Sequence, residues 1–316
     1  PSLLGKIPKT LFMTIQEFKN ISIKTLKDSP SASLDTNVLL EHCLKQNKTW
    51  ILVHSEEELS AEQFSWLTEA VAKRKTGLPV AYITGHKEFY GYDFTVSQDV
   101  LIPKPDTEIL VEKAIDEIIT KIEFQPEIVL SVCDMCAGSG CIGISVLKNL
   151  IEEFKIPSGQ LPKFTIADIS GKALDIAKQN AKKLLPPAEF EELRFIQTDL
   201  FSEVPFTVDL ILTNPPYIPA KMVTALLKDG RNEPRLALDG DIGLFGVPTE
   251  ENDGLGIIRR LVPESYGHLA YNGVLLMETG EYNAAATKII FEQNKFRCTK
   301  IFKDLEGQDR NVYGIR

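Results

Sequence analysis

The spacing of hydrophobic residues changes twice along this chain. From Thr10 to Lys75 apolar residues recur at helical intervals: Leu34, Val38, Leu39, Cys43 and Leu44 in one stretch, Phe64, Leu67, Ala70 and Val71 in another. That i, i+3, i+4 recurrence predicts three or four amphipathic helices, with Ser60 and Gln63 placed to form a capping box at the start of the last. Between Tyr82 and Lys104 the period drops to two at Tyr92, Phe94 and Val96, and Gly85 and Gly91 supply turns. A linker carrying a β-hairpin is expected there. Pro105 to Ile119 has helical spacing again. From Ile128 short apolar runs alternate with helical stretches, which predicts strands near 128–134, 163–168, 193–198, 208–213, 273–278, 296–302 and 311–315. Such alternation implies an α/β fold, a doubly wound, mostly parallel seven-stranded sheet with helices on both faces and ligands at the carboxyl ends of its strands. The domain plan that follows is a helical domain over 1–81, a linker over 82–104 and an α/β domain over 105–316.

The strand-like run Val208 to Thr213 stops at Asn214-Pro215-Pro216-Tyr217. Each proline lacks a backbone N–H and holds the residue before it extended, so Asn214 and Pro215 present carbonyl oxygens with few competing donors. Asn214 adds a side-chain amide, and Tyr217 a flat ring. This set suits a planar –NH2 group, whose delocalised lone pair attacks poorly unless acceptors hold both N–H bonds and aim the nitrogen. The plainer alternative is a strand end followed by an Asn-Pro turn.

An earlier stretch, Val129 to Gly143, reads as a buried strand, a small-residue loop over Cys136, Ala137, Gly138, Ser139 and Gly140, and then a helix. Such loops let a backbone approach a ligand closely. The glycines fall as G-x-G-x-x-G from Gly138 to Gly143, but Asp134 precedes them and would repel a pyrophosphate, so a cationic ligand is expected. The next two strand ends carry Asp168, placed for a ribose diol, and Asp199-Leu200, placed for an adenine amino group.

Composition narrows the possibilities. A formal charge of −9 argues against a protein that wraps nucleic acid non-specifically, and favours a peptide or protein substrate. No run of about eighteen apolar residues predicts a membrane span. Five cysteines, an odd number, imply a reducing compartment. Cys133, Cys136 and Cys141 have no second ligand pair or histidine cluster beside them, so no metal is expected and small-residue packing is the better account. The four histidines are scattered. The first 28 residues carry five lysines against Glu17 and Asp28, which suits the flank of an organelle-targeting segment or a solvated helix face. The chain begins at Pro1, and a processed or truncated product is the expectation.

Four motifs together resemble the HemK/PrmC family of class I S-adenosylmethionine-dependent methyltransferases, which methylate a glutamine of peptide release factors. They are Pro79-Val80-Ala81-Tyr82-Ile83-Thr84-Gly85, Val100-Leu101-Ile102-Pro103-Lys104-Pro105-Asp106-Thr107-Glu108, Asn214-Pro215-Pro216-Tyr217 and Glu233-Pro234-x-x-Ala237-Leu238. The third is shared with DNA adenine methyltransferases; the set is specific. The resemblance covers most of the chain. It implies S-adenosyl-L-methionine as cofactor, bound by Asp134, Cys136, Ala137, Gly138, Ser139, Gly140, Asp168, Asp199, Leu200 and Asn214. It implies catalysis at Asn214, Pro215, Pro216 and Tyr217 on the glutamine N5 of a Gly-Gly-Gln sequence, and release-factor recognition by the helical domain, for which a packing cap is the alternative. A monomer of the mitochondrial branch, in the matrix or otherwise in the cytoplasm, and off the membrane, is the expectation. Three positions depart from the family pattern. Lys104 stands for arginine and loses the bidentate fork, Cys136-Ala137 stand for glycine and threonine, and the glutamine after Met277-Glu278-Thr279-Gly280 is replaced at or near Tyr282. Residues 239–252 form an insert, either a substrate-contacting lid or a tolerated surface loop. Two other functions compete: an N6-adenine nucleic-acid methyltransferase, which would need a basic face that this acidic chain lacks, and an inactive S-adenosylmethionine-binding module, against which the intact Asn214 to Tyr217 stretch speaks.

Overall fold

A computed structural model describes residues 13–227, 232–242 and 251–316. The expectations for residues 1–12 and for most of the 239–252 insert therefore lie outside the described residues. The chain divides into two compact units, Pro1–Gly85 with Leu227–Asn232, and His86–Leu226 with Glu233–Arg316.

The first unit holds α1 (Ile15–Thr25), α2 (Ala32–Leu44), α3 (Lys48–Val53), α4 (Ala61–Lys75) and α5 (Val80–Thr84). The capping box at Ser60 forms as its spacing predicts: Gln63 N–H donates to Ser60 Oγ at 3.2 Å and Ser60 N–H to Gln63 Oε1 at 2.8 Å. Thr14 and Glu17 repeat the device on α1. Phe18, Leu39, Leu40, Leu67 and Val71 bury the apolar stripes against one another. Arg74 Nε meets Asp35 Oδ2 at 2.7 Å with both side chains largely buried, and Arg74 also donates to the carbonyls of Gly77 and Leu78. A buried pair of this kind fixes geometry more than it adds stability.

In the second unit β1 (His86–Phe89) and β2 (Tyr92–Thr95) make the expected hairpin. Its two-residue turn puts Tyr90 at φ 52° and Gly91 at φ 76°, the left-handed pair whose twist matches the flanking strands. The sheet contains β3 (Ser131–Met135), β4 (Lys163–Asp168), β5 (Arg194–Gln197), β6 (Val208–Thr213), β7 (Leu269–Glu278), β8 (Arg297–Lys303) and β9 (Asp309–Ile315) in the order β5-β4-β3-β6-β7-β9-β8. The pairs from β5 to β7 are parallel, and β9 is antiparallel to both neighbours. The helices are α6 (Glu108–Phe124), α7 (Cys141–Glu152), α8 (Gly171–Leu184), α9 (Pro187–Glu191), α10 (Ala220–Leu226), α11 (Gly256–His268) and α12 (Ala284–Gln293). Alternation along the strands feeds two cores. Val132, Leu210, Leu212 and Leu276 pack with residues of α6 and α7, while Cys133, Met135, Ile211 and Met277 pack with residues of α11 and α12.

Two strand starts differ from expectation. The first begins at Ser131, not near 128, because Ile128 turns its N–H back to the Gln125 carbonyl and leaves Ile128 and Val129 exposed. β7 begins four residues early, at Leu269, because the register with β6 jumps between Leu269 and Val274; Asn272 in that interval sits at φ 60°. The Asn-Gly pair inside the bulge hides the alternation on which a sequence reading depends.

Candidate active site

The chain leaves β3 toward β4 and β5 on one side and returns to β6 on the other, so the strand order reverses between β3 and β6. Ligands of open α/β sheets bind at such a reversal. A cavity of about 490 Å³ opens there, within the usual size of a cofactor site.

On the β3 side the small-residue loop is held by two aspartates. Asp168 accepts Gly138 N–H at Oδ2 and Ser170 N–H at Oδ1, each at 2.8 Å. Burial raises its pKa and those backbone bonds oppose the rise. Asp134 is fully buried, and its Oδ2 accepts Gly143 N–H at 2.8 Å. Burial pushes this carboxyl up to about 7, the Gly143 bond lowers it, and Asp168 raises it further. A Cβ at Gly143 would come 3.0 Å from Asp134 Oδ2, so glycine permits this approach. A Cβ at Gly138 would meet nothing within 4 Å, which leaves open space beside the cavity wall. Cys136 occupies φ 60° without being glycine, a conformation that costs an L-residue roughly 1–2 kcal/mol.

Cys136, Ala137, Gly138 and Ser139 line the cavity with Asp168, Asp199, Leu200 and Asn214. Asp134, Gly140, Pro215 and Tyr217 are not among its lining residues. Asp134 instead closes the turn into α7 from beneath, and Gly140 faces Ile144 and Ala177. Asp199 Oδ2 pairs with Arg260 on α11 at 2.9 Å. The thiols of Cys133, Cys136 and Cys141 are all raised by burial, which keeps them protonated and poor as nucleophiles or ligands.

On the β6 side the bonds run between side chains. Asn214 Nδ2 donates to Thr107 Oγ1 at 3.2 Å. Tyr217 Oη donates to Glu278 Oε1, at the end of β7, at 3.3 Å. Glu278 is buried, and burial pushes its carboxyl up to about 7 against the lowering effects of the Thr107 hydroxyl, Arg310 and Tyr217. Arg310 on β9 reaches Asp304 at 3.0 Å and Asp106 at 3.3 Å. The Tyr217 carbonyl accepts Asn283 Nδ2 at 3.1 Å and Tyr282 Oη at 3.2 Å, which fixes the backbone after the two prolines. Lys104 Nζ pairs with Glu233 at 2.8 Å, joining two motifs that lie 129 residues apart.

Sequence reasoning passed over several of these partners. Thr107 lies within the Val100 to Glu108 motif with nothing local to mark its role, whereas Glu278 is an acid ending the buried run Val274 to Met277, a signal that sequence alone carries. Arg260, Arg310 and Asn180 carry no such signal. Asn180 on α8 is fully buried; its Oδ1 accepts Thr95 N–H at 2.7 Å, and its Nδ2 donates to the carbonyls of Thr95 and Ser139.

The donor set fits S-adenosylmethionine. Asp168 and Asp199 are acceptors suited to a diol and an amino group, Leu200, Ile169 and Ile257 give apolar wall, and the lining acids favour a sulfonium cation.

Comparison with known proteins agrees with this picture. Residues 21–85 match the PrmC N-terminal domain family, and residues 117–237 match the methyltransferase small domain family. A release factor glutamine methyltransferase of Koribacter versatilis is 35% identical over 96% of this chain and 98% of its own length. Proteins of the same name from Burkholderia pseudomallei and Leptospira interrogans are 32% and 35% identical, each over 90% of this chain and 92% of theirs. With the strand-end aspartates, the Asn214 turn and relatives matched along nearly their whole length, this chain belongs to the release factor glutamine methyltransferase family.

Proposed function

We propose that this protein transfers a methyl group from S-adenosylmethionine to the side-chain amide nitrogen of the glutamine in a Gly-Gly-Gln sequence of a peptide release factor. The observation that carries the reading is the Asn214 amide. Its Nδ2 is engaged by Thr107, so its Oδ1 is the acceptor offered to a substrate N–H. The Pro215 carbonyl takes the second N–H. Held by both, the glutamine nitrogen keeps its out-of-plane lone pair toward the methyl donor, and its charge is stabilised as it develops. The bound cofactor supplies an electrophilic methyl carbon on a sulfonium. Pro216 keeps Pro215 extended, and Tyr217 anchors the turn through Glu278. Asp168 and Asp199 bind the ribose and adenine ends, the loop from Cys136 to Gly140 with Leu200 shapes the cleft, and Asp134 acts beneath that loop through Gly143.

Residues 1–81 select the substrate, 82–104 connect, and 105–316 carry out the transfer. The protein works as a monomer, off the membrane, and its substrate is protein, not nucleic acid. Among the described residues no helix is long and apolar enough to cross a membrane. We place it in the mitochondrial matrix on the lysine-rich first 28 residues, which imaging of a tagged full-length precursor tests.

The decisive assay offers labelled S-adenosylmethionine with three acceptors: a Gly-Gly-Gln-containing release factor, adenine-bearing DNA and adenine-bearing RNA. Label is expected in the release factor, and is lost when its glutamine is changed to alanine. Transfer to either nucleic acid alone overturns the reading.

A further inference from the structure

We propose that Arg260 is a positioning residue for cofactor recognition: from α11 it holds Asp199 so that one carboxylate oxygen is fixed toward the adenine, which makes the site prefer a 6-amino purine to a 6-oxo purine. This rests on the reading above that Asp199 binds the adenine end, and deepens it. Arg260, Asp199 and Leu200 all line the cavity. Arg260 Nη2 donates to Asp199 Oδ2 at 2.9 Å, with the arginine side chain 18% exposed and the aspartate 44%. One oxygen of Asp199 is thus engaged within the protein, leaving Oδ1 as the acceptor for a ligand.

The face of α11 that carries Arg260 makes this more than one ion pair. Arg260, Glu264 and His268 recur at i, i+4 and i+8 and so form one stripe. All three meet the turn that follows β5. Arg260 takes Asp199, Glu264 Oε2 accepts Phe201 N–H at 3.2 Å, and the His268 ring stacks on Phe201 at 4.6 Å between centroids. Between them Leu200 sits at φ 50°, a left-handed conformation that a non-glycine residue keeps where its surroundings over-determine it. The Thr198 hydroxyl fastens the same turn from within, donating to the Leu200 carbonyl at 2.8 Å and accepting Glu203 N–H at 3.1 Å. Glu264, His268 and Thr198 place the backbone; what Arg260 adds is the orientation of one side chain. An ionised carboxylate accepts and does not donate. Held by Arg260, Oδ1 meets the N–H of a 6-amino group but faces the oxygen of a 6-oxo group, acceptor against acceptor. A site built to bond one hydrogen-bonding group rejects an analogue that lacks it far more strongly than an apolar wall does. Without the guanidinium the half-exposed aspartate swings toward water and that rejection fades.

The test uses the full chain and calorimetric titration with two probes, S-adenosylhomocysteine and S-inosylhomocysteine, which carry an amino and an oxo group at purine C6. Wild type should prefer the adenosyl compound by about tenfold or more, and Arg260→Met and Asp199→Ala should each bring that preference below about threefold. Arg260→Lys, which keeps a charged donor, should restore part of it. The double variant should lose no more preference than Asp199→Ala alone, since the arginine acts only through the aspartate. An Arg260→Met protein that discriminates as wild type does, or that weakens both probes equally, overturns the proposal. If Asp199→Ala keeps the wild-type preference, the adenine assignment falls and the proposal falls with it. Should Arg260→Met fail to fold, Arg260→Gln answers the same question. No release factor enters the experiment, so a chain that leaves Gly-Gly-Gln unmethylated while the titrations behave as expected loses its substrate assignment and keeps the role of Arg260.

Discussion

The two sides of the cavity are built on different principles. On the β3–β4 side the acids Asp134 and Asp168 are answered by backbone N–H groups of Gly143, Gly138 and Ser170, all close to them along the loop or at a neighbouring strand end. On the β6–β7 side Asn214, Tyr217 and Glu278 are answered by side chains from far along the chain, Thr107 by way of a turn and Arg310 by way of the last strand. A backbone donor survives most substitutions near it. A side-chain donor is lost with a single one, so the acceptor side should be more brittle toward mutation and the cofactor side more tolerant.

The largest expected effect tests the acceptor side. Asn214→Ala removes one acceptor and should slow single-turnover methyl transfer about 10²-fold or more, while calorimetric affinity for S-adenosylhomocysteine changes little. Asn214→Asp, which keeps the shape and adds a charge toward the sulfonium, should bind cofactor tightly and turn over poorly; near-wild-type rates in Asn214→Ala would sink the mechanism. On the cofactor side Asp168→Ala should weaken S-adenosylhomocysteine by about 1.5–3 kcal/mol, since it removes both a ligand acceptor and the partner of Gly138 and Ser170. If affinity holds, Asp168 is a loop brace only.

Stability against pH compares the two sides directly. Asp134 and Glu278 have folded pKa values raised to about 7, from 3.8 and 4.5, chiefly by burial. The folded state therefore holds protons that the unfolded chain has released. The stability these groups contribute is complete below their unfolded values and is lost as pH rises toward and through 7. Glu278→Gln should flatten this decline and be more stable than wild type at pH 8, on the order of a few kcal/mol, as followed by urea unfolding. Asp134→Asn keeps the acceptor for Gly143 and should flatten the same slope. The smallest effect belongs to Lys104→Met. Its Glu233 partner is buried but Lys104 itself is 44% exposed, so solvent screening leaves about 1 kcal/mol or less, and a truncation removing residues 1–81 should alter release-factor KM far more.

What was legible in the sequence follows the same division. The seven strands, the hairpin at Gly91 and the capping box at Ser60 announce themselves through local periodicity and turn chemistry, and the same pattern puts Asp168, Asp199 and Asn214 at strand ends, where they line the cavity. The pairings of Asn214 with Thr107, Tyr217 with Glu278 and Lys104 with Glu233 join residues brought together only by sheet order. Asp134 was read as a ligand acid because it ends a strand, yet its side chain points beneath the loop; strand alternation gave residue 134 to the α7 face, and Gly143 admits it there. The strand expected near 128 shows the opposite failure, apolar residues at 128 and 129 that a turn holds in solvent.

Asn180 links these two kinds of construction. One side-chain amide on α8 binds both the N–H and the C=O of Thr95 at the end of the hairpin, and also the Ser139 carbonyl in the cofactor loop. The Thr95 amide hydrogen is therefore sheltered by the same group that holds the loop. Its rate of deuterium uptake should slow when the cleft is filled, which makes one backbone position outside the cavity a gauge of occupancy, readable without a label in the ligand or a probe in the site.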